Sequence, residues 1–210
     1  MKTAIEHWNE QYDLPMEKIP WEIATPPHDL SALVEDHSTP TGGQALDVAC
    51  GTGNYSRFLS SRGYRVTAID FSPHALAVAR SRNCAETTAI EYIEGDVTKL
   101  SLTLPADRRF DLILDYSLLH HLPPDAFARH TQQFASLLRP DARLLVVCYS
   151  DTNLYAKGQT SARGAFGNEM FYRTRSCIEK AYAPLRVLSY RETTLGKQGH
   201  HRGHSFVFGY

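Results

Sequence analysis

Two glycines, Gly51 and Gly53, follow directly on a short apolar run, and this juncture constrains the chain more than any other stretch. Ala45 to Ala49 is apolar apart from Asp47, which suits a strand buried on both faces. Glycines immediately after such a strand let the backbone turn sharply and let a ligand approach the main chain closely. Asn54 to Arg62 then has helical spacing, with Phe58 and Leu59 on one side, and Gly63 is a natural stop. Tyr64 to Ile69 alternates and ends in Asp70, so a carboxylate stands at the tip of a second strand. Ser72 and Pro73 open the next helix as N-cap and first-turn residue. The unit is strand, glycine loop, helix, strand, acid, helix, and it predicts an α/β domain with a parallel sheet.

Two nucleotide-type ligands fit such a unit, a dinucleotide and S-adenosylmethionine (SAM). In both, the acid at the second strand tip is the seat for a ribose-hydroxyl acceptor. The dinucleotide fingerprint needs a third glycine, yet Gly51-Thr52-Gly53 is followed by Asn54-Tyr55-Ser56. Asp47 would repel a pyrophosphate and attract the ammonium of a methionine moiety. The run D-V-A-C-G-T-G, with Asp70 downstream, resembles motif I and its partner acid in the class I SAM-dependent methyltransferases. Alanine at Ala49 is a mild departure, since that family usually has glycine there. The resemblance implies cofactor contacts from Asp47, Ala49, Cys50, Gly51, Gly53, Asp70 and Phe71.

A chain of 210 residues suits a single α/β domain with a good core. The formal net charge of -1 gives no general attraction to nucleic acid or anionic membrane. The apolar runs are far short of a membrane span, and the N-terminus lacks a signal-peptide core, so a cytoplasmic location is the default. Cys50, Cys84, Cys148 and Cys177 are scattered, which suits reduced thiols and suggests neither a disulfide frame nor a zinc site.

Along the chain, residues 1 to 12 predict a helix with Ile5, Trp8 and Tyr12 on one face, and His28 to Asp36 predicts a second. Between them lies a proline-punctuated segment with Trp21. Aromatic faces attract a sulfonium cation and exclude water, although tryptophans also simply cap cores. The pattern W-N-E-Q-Y, then P-W-E and a leucine-bearing helix, is similar to small-molecule methyltransferases of the thiopurine and tellurite-resistance kind. That resemblance implies that residues 1–40 form a helical lid in which Trp8, Tyr12 and Trp21 help cover SAM, over a Rossmann-like core of residues 41–210.

A helix over Ala75 to Arg82 and a polar loop at Asn83 to Thr88 should precede a third strand at Ile90 to Ile93. Asp96 and Val97 follow it, and the resemblance places them against the adenine. Phe110 to Asp115 predicts the fourth strand, and ligands in open α/β sheets sit beyond the strands' carboxyl ends. Asp115 and Tyr116 therefore stand near the sulfonium by topology. His120 and His121 follow, in a stretch resembling motif IV, as candidates for a general base or for positioning the acceptor. Asp125 to Arg139 reads as one amphipathic helix stopped by Pro140, and Ala142 to Tyr149 as a central fifth strand. Ser150 to Gly167 reads as a long loop on the ligand side, shaping the acceptor pocket with Tyr155, Phe166, Phe171 and Tyr172. Thr174 caps a further helix, and Leu185 to Thr193 and Ser205 to Tyr210 are the last two strands. Three histidines, His200, His201 and His204, lie between them among glycines that suit a hairpin tip. No carboxylate or cysteine accompanies them, so no metal is expected.

The resemblance covers Trp8 to Tyr210. It implies a doubly wound seven-stranded sheet in order 3-2-1-4-5-7-6, last strand antiparallel, with helices on both faces. It also implies methyl transfer from SAM to a sulfur, nitrogen or oxygen of a small molecule, leaving S-adenosylhomocysteine. A monomer or homodimer without nucleic-acid or membrane partners is expected. A nicotinamide-dependent oxidoreductase and a SAM- or partner-binding domain without turnover are the competing readings.

Overall fold

The computed structural model describes residues 2–36, 42–82, 90–197 and 199–210. The expected polar loop at 83–88, with Cys84, lies outside the described residues. The strands are β1 (Gln44–Val48), β2 (Arg65–Asp70), β3 (Ile90–Glu94), β4 (Phe110–Tyr116), β5 (Leu138–Tyr149), β6 (Ser161–Arg163), β7 (Glu169–Phe171), β8 (Arg186–Leu195) and β9 (His201–Gly209). The helices are α1 (Ala4–Tyr12), α2 (His28–Glu35), α3 (Asn54–Ser61), α4 (Pro73–Ser81), α5 (Leu100–Thr103), α6 (Pro124–Thr131), α7 (Phe134–Leu137) and α8 (Arg175–Ala181).

Seven strands share one sheet in the order β3-β2-β1-β4-β5-β9-β8, and β6 pairs with β7 apart from it. Counted within the sheet, this is the expected 3-2-1-4-5-7-6. Strands β3, β2, β1, β4 and β5 pair in parallel, and β9 runs antiparallel to both β5 and β8. The apolar residues alternate between the sheet's two faces, as a pleated strand requires. Leu46, Val48, Ile69 and Ile113 join Phe127, Phe134 and Ile178 of α6, α7 and α8 in one core. Ala45, Ala68, Leu112 and Leu114 join Leu30, Leu33 and Leu59 of α2 and α3 in the other. Asp47 and Asp70 therefore face the α3 side, and Asp115 faces the α6 side.

The helix starts follow local chemistry. Thr3 and Glu6 form a reciprocal capping box at α1, with Glu6 N–H donating to Thr3 Oγ1 at 3.3 Å and Thr3 N–H to Glu6 Oε2 at 2.7 Å. Ser72 Oγ accepts from Ala75 N–H at 3.1 Å at α4, and Thr174 Oγ1 from Cys177 N–H at 3.2 Å at α8.

Three expectations are corrected. The helix read over 125–139 breaks into α6 and α7, and Leu138 already pairs with Phe110 in the sheet. The register then shifts before Leu112 meets Arg143, and Asp141 takes a positive φ of 63°. Pro140 lacks an N–H for the ladder, and it lies in the stretch between these two pairings. The long loop after β5 carries the β6–β7 ribbon. The histidine segment is mostly strand, since β9 begins at His201.

Helix α2 is fastened to the far edge of the sheet by one side chain. Asp29, 9% exposed, accepts from Arg191 Nε, from Ser205 Oγ at 2.7 Å and from Thr193 Oγ1 at 3.1 Å. Asp29→Ala strands these donors, so an expected loss of about 1–3 kcal/mol should appear in urea unfolding. A change below about 0.5 kcal/mol, the usual scatter for surface substitutions, would show that α2 is held by its leucines alone.

Candidate active site

The turn after β1 is built from positive φ angles. Ala49 stands at 54°, Gly51 at 55° and Gly53 at 73°. A Cβ on Gly51 would come 2.8 Å from the Tyr12 hydroxyl, and one on Gly53 would collide with the Tyr92 hydroxyl. Both glycines are therefore required by crowding as well as by backbone conformation. Asp70 holds the turn: its carboxylate accepts from Gly51 N–H at 2.8 Å and from Ser72 N–H at 2.9 Å, bridging the loop and the start of α4. Asp47 accepts from Ser56 Oγ at 2.6 Å.

Both carboxyl groups are almost wholly covered, Asp47 at 2% and Asp70 at 4% exposure. Burial pushes the Asp47 pKa up to about 7, with the Ser56 hydrogen bond opposing and the Asp70 charge adding to the rise. Burial pushes Asp70 up to about 6 against the Ser72 and Gly51 N–H groups, which favour its ionised form. Phe71 and Cys50 flank this pair. Burial and the two nearby aspartates push the Cys50 thiol well up, so it is no thiolate at neutral pH.

The N-terminal segment lies over the same turn. Trp8 meets Trp21 edge-on at 5.2 Å and His121 at 4.7 Å; Trp21 meets Tyr12 at 6.1 Å and Phe166 at 5.5 Å. Trp8, Tyr12 and Trp21 thus come together beside Gly51, while Ile5, expected on the same face, is 36% exposed. Ser72 Oγ donates to Asn9 Oδ1 at 2.7 Å, and His74 Nδ1 lies 2.7 Å from Asp13 Oδ1. The main fastening is a residue that sequence reasoning passed over. Glu22 accepts from Thr52 Oγ1 at 2.6 Å, Asn54 Nδ2 at 2.7 Å and Arg82 Nη1 at 2.6 Å. Its side chain is 9% exposed, so these are charge-assisted bonds sheltered from water. The signal was its place beside Trp21, but its partners lie too far along the chain to be read.

Beyond β3, Asp96 is exposed and accepts from Thr98 N–H at 2.9 Å and Thr98 Oγ1 at 2.7 Å, shaping the turn in which Val97 is buried. The Val97 carbonyl accepts from His130 Nδ1 and Gln133 Nε2, each at 3.1 Å. Asp115 does not belong with Asp47 and Asp70. It is fully buried on the opposite face, where its Oδ2 takes His130 Nε2 at 2.9 Å and the Tyr182 hydroxyl at 2.6 Å. Side-chain alternation along β4 explains the correction: the strand tip reaches the ligand side, but this carboxylate points away from it. Tyr116, next in line, packs edge-on to Tyr55 at 5.1 Å. Ser117, at φ 66°, makes the turn out of β4.

His120 and His121 stand in the short helical turn that follows. His120 stacks on Tyr149 with centroids 3.7 Å apart, and its Nδ1 accepts from Tyr149 N–H at 3.3 Å. His121 Nδ1 lies 2.9 Å from Asn168 Nδ2, which only donates. Burial holds the His120 pKa well below its usual value and takes His121 down to about 3, with His7 adding to the fall. Both rings are thus neutral near pH 7. The segment is pinned from below by Arg173, which donates to the carbonyls of Leu119 at 2.6 Å and Leu122 at 2.5 Å. Of the three late histidines, His201 stacks on Tyr149 at 4.5 Å, while His204 lies 3.0 Å from the Tyr190 hydroxyl and 3.1 Å from the Arg173 carbonyl. Among the described residues no group of three or more His, Cys, Asp or Glu side chains is set to hold a metal ion.

The raised Asp47 pKa carries a stability signature. A carboxyl group whose folded pKa lies above its unfolded value costs stability as pH rises from the usual carboxylate range through about 7. Asp47→Asn keeps an acceptor for Ser56 and removes that cost. The variant should unfold at higher urea than the parent near pH 8, and the gap should narrow toward about pH 5. Equal midpoints at both pH values would show that Asp47 is not strained by burial.

Comparison with known proteins agrees with this architecture. The family described as Methyltransferase domain matches residues 45–141. The malonyl-[acyl-carrier protein] O-methyltransferase of Pectobacterium atrosepticum is 34% identical over 170 residues, 79% of this chain and 62% of its own length. The ubiquinone biosynthesis O-methyltransferase of Azotobacter vinelandii is 34% identical over 109 residues, 50% of this chain and 46% of its own. The chain thus spans about half of the length of such relatives. A solved structure concerned with conversion of a disulfide bond into a thioacetal group during echinomycin biosynthesis superposes with a TM-score of 0.77 at 22% identity, over 98% of this chain and 92% of its own. At that identity it speaks for the fold, and it does so from end to end. The segment 45–141 thus resembles a methyltransferase domain, and the sheet order and the glycine turn agree with that likeness.

Proposed function

We propose that the protein transfers a methyl group from SAM to a heteroatom of a small molecule. The observation that carries this is the pairing of two buried acids, Asp47 and Asp70, around a turn that tolerates no Cβ at Gly51 or Gly53. A turn so closed to side chains suits a ligand laid against the main chain. Asp70 suits the ribose hydroxyls, and Asp47 suits an ammonium group, which a pyrophosphate site would not want. Asp96 and Val97, at the end of β3, suit the adenine. Trp8, Tyr12 and Trp21 suit the sulfonium side, where aromatic faces favour a cation and keep water out. On this reading residues 1–40 are a lid over a core of residues 41–210, and Glu22 is its latch.

When bound, SAM supplies an electrophilic methyl group: the acceptor's lone pair forms the new bond as the carbon–sulfur bond breaks toward sulfur. The chain's own part is to align acceptor and cofactor and exclude water, which is worth an effective molarity of about 10⁵ M or more. The named relatives are O-methyltransferases, which favours an oxygen acceptor over sulfur or nitrogen. An oxidoreductase is disfavoured by the missing third glycine and by Asp47. No helix among the described residues is long and apolar enough to cross a membrane.

The test is calorimetric titration with SAM, S-adenosylhomocysteine and NAD in parallel, followed by acceptor screening through homocysteine release. Binding of the adenosyl pair without NAD is expected. Asp70→Ala and Glu22→Ala should each weaken SAM by roughly tenfold or more, a loss equivalent to one charge-assisted hydrogen bond. Binding of NAD without SAM would overturn the reading, and SAM binding with no turnover on any acceptor would favour a non-catalytic domain.

A further inference from the structure

We infer that the acceptor is an organic oxyanion, a carboxylate or an acidic enol or phenol already ionised when it binds, and that His120 and His121 hold it as hydrogen-bond donors. The inference rests on the methyltransferase reading and deepens it.

The argument begins with where the imidazole protons must be. A backbone N–H and a carboxamide NH₂ only donate, so Tyr149 N–H and Asn168 Nδ2 fix the Nδ1 atoms of His120 and His121 as acceptors. A neutral imidazole that accepts at Nδ1 carries its hydrogen at Nε2. Each ring then offers one N–H and has no lone pair left to take a proton. His121 meets Trp8 of the aromatic cover at 4.7 Å, so this donor stands at the cover itself.

A histidine that works as a general base is ordinarily held by a carboxylate that stabilises the imidazolium. Among the described residues, the titratable and charged groups that act electrostatically on His120 and His121 or stack on them are His7, His201, Tyr149 and Arg173, and none is a carboxylate. The buried histidine–aspartate pair of this chain, His130 with Asp115, is shut away on the other face of the sheet. The site histidines have amide partners instead.

The local charge points the same way. Arg173 is 8% exposed, and its guanidinium spends its bonds on the Leu119 and Leu122 carbonyls, at either end of the segment that carries both histidines. It also lies 4.0 Å over the Phe127 ring. Among the described residues it forms no ion pair. A buried cation without a counter-charge favours an anion nearby and disfavours an ammonium. An amine would also turn N–H groups toward N–H donors. A neutral alcohol would need its proton removed, and these rings cannot remove it. An oxyanion has no such need: its lone pair bonds to the methyl carbon, the electron pair of the broken bond stays on sulfur, and anion and sulfonium become two neutral products.

Both tryptophans of the chain, Trp8 and Trp21, belong to the cover, so their fluorescence reports on the site. The probes are benzoate, benzamide and benzyl alcohol, titrated into protein saturated with S-adenosylhomocysteine. Benzoate should bind at least about tenfold more tightly than its neutral analogues. His121→Ala should abolish the preference. His121→Gln should keep it, because a glutamine amide places its NH₂ near the position of Nε2. His120→Gln is the parallel variant should His121 substitutions fail to fold. In a homocysteine-release screen, turnover should be confined to carboxylic acids and acidic enols or phenols, and His121→Ala should lose at least about tenfold more kcat/KM than His121→Gln. Equal binding of the three probes, turnover of amines or neutral alcohols, or equal losses in His121→Ala and His121→Gln would each overturn the inference. Failure of the wild-type protein to bind S-adenosylhomocysteine would strike the methyltransferase reading instead.

Discussion

The Asp70 carboxylate joins two turns that would otherwise be independent. One oxygen takes the Gly51 N–H of the loop after β1, and the other takes the Ser72 N–H at the entry to α4. Everything at this end of the sheet is referred to that bridge. It fixes the left-handed turn at Ala49, Gly51 and Gly53, and it sets α4 where the Ser72 hydroxyl can donate to Asn9 of α1. The bridge is nearly dry, and burial keeps its acid reluctant to ionise. Asp47, on the same face and drier still, is more reluctant. Two carboxyl groups held in this way favour a ligand that brings them positive charge or hydrogen-bond donors.

The N-terminal segment answers the bridge from above. Its aromatic rings are arranged edge to face, which is the favourable geometry for such pairs, and Glu22 fastens them to the loop through Thr52, Asn54 and Arg82. The fastening is polar and the contact among the rings is apolar. Behind β4, the His130–Asp115–Tyr182 cluster and Gln133 hold the Val97 turn from the other side of the sheet. The glycine turn and the Val97 turn thus lean on different layers of the fold.

Most of this architecture is written in short-range pattern. The β1 turn, the Asp70 strand tip and the Ser72 cap follow from spacings of a few residues, and the sheet order that the family resemblance implied is the one observed. What escaped the sequence is long-range. Glu22 meets Thr52 thirty residues on, and Arg173 meets Leu119 across a separation of 54. No local period signals either contact. Asp115 was misplaced because topology names the strand end, whereas the side-chain direction depends on the parity of the strand. The helix expected over 125–139 failed because Leu138 fits a helical stripe equally well as a partner for Phe110 across the sheet. The histidines were read by residue type as possible bases; only their partners, Tyr149 and Asn168, reveal which nitrogen holds the proton.

The most direct measurement is the proton balance of SAM binding, by titration calorimetry near pH 6.5 in two buffers of different ionisation heat. The buried acids, at about 7 and about 6 in the ligand-free protein, are there partly protonated. A ligand whose ammonium meets Asp47 and whose ribose hydroxyls donate to Asp70 favours the ionised form of both and should release about one proton per SAM bound, falling toward zero above about pH 8. Binding without proton release, or with proton uptake, would contradict the account by showing that Asp47 and Asp70 are not what SAM meets.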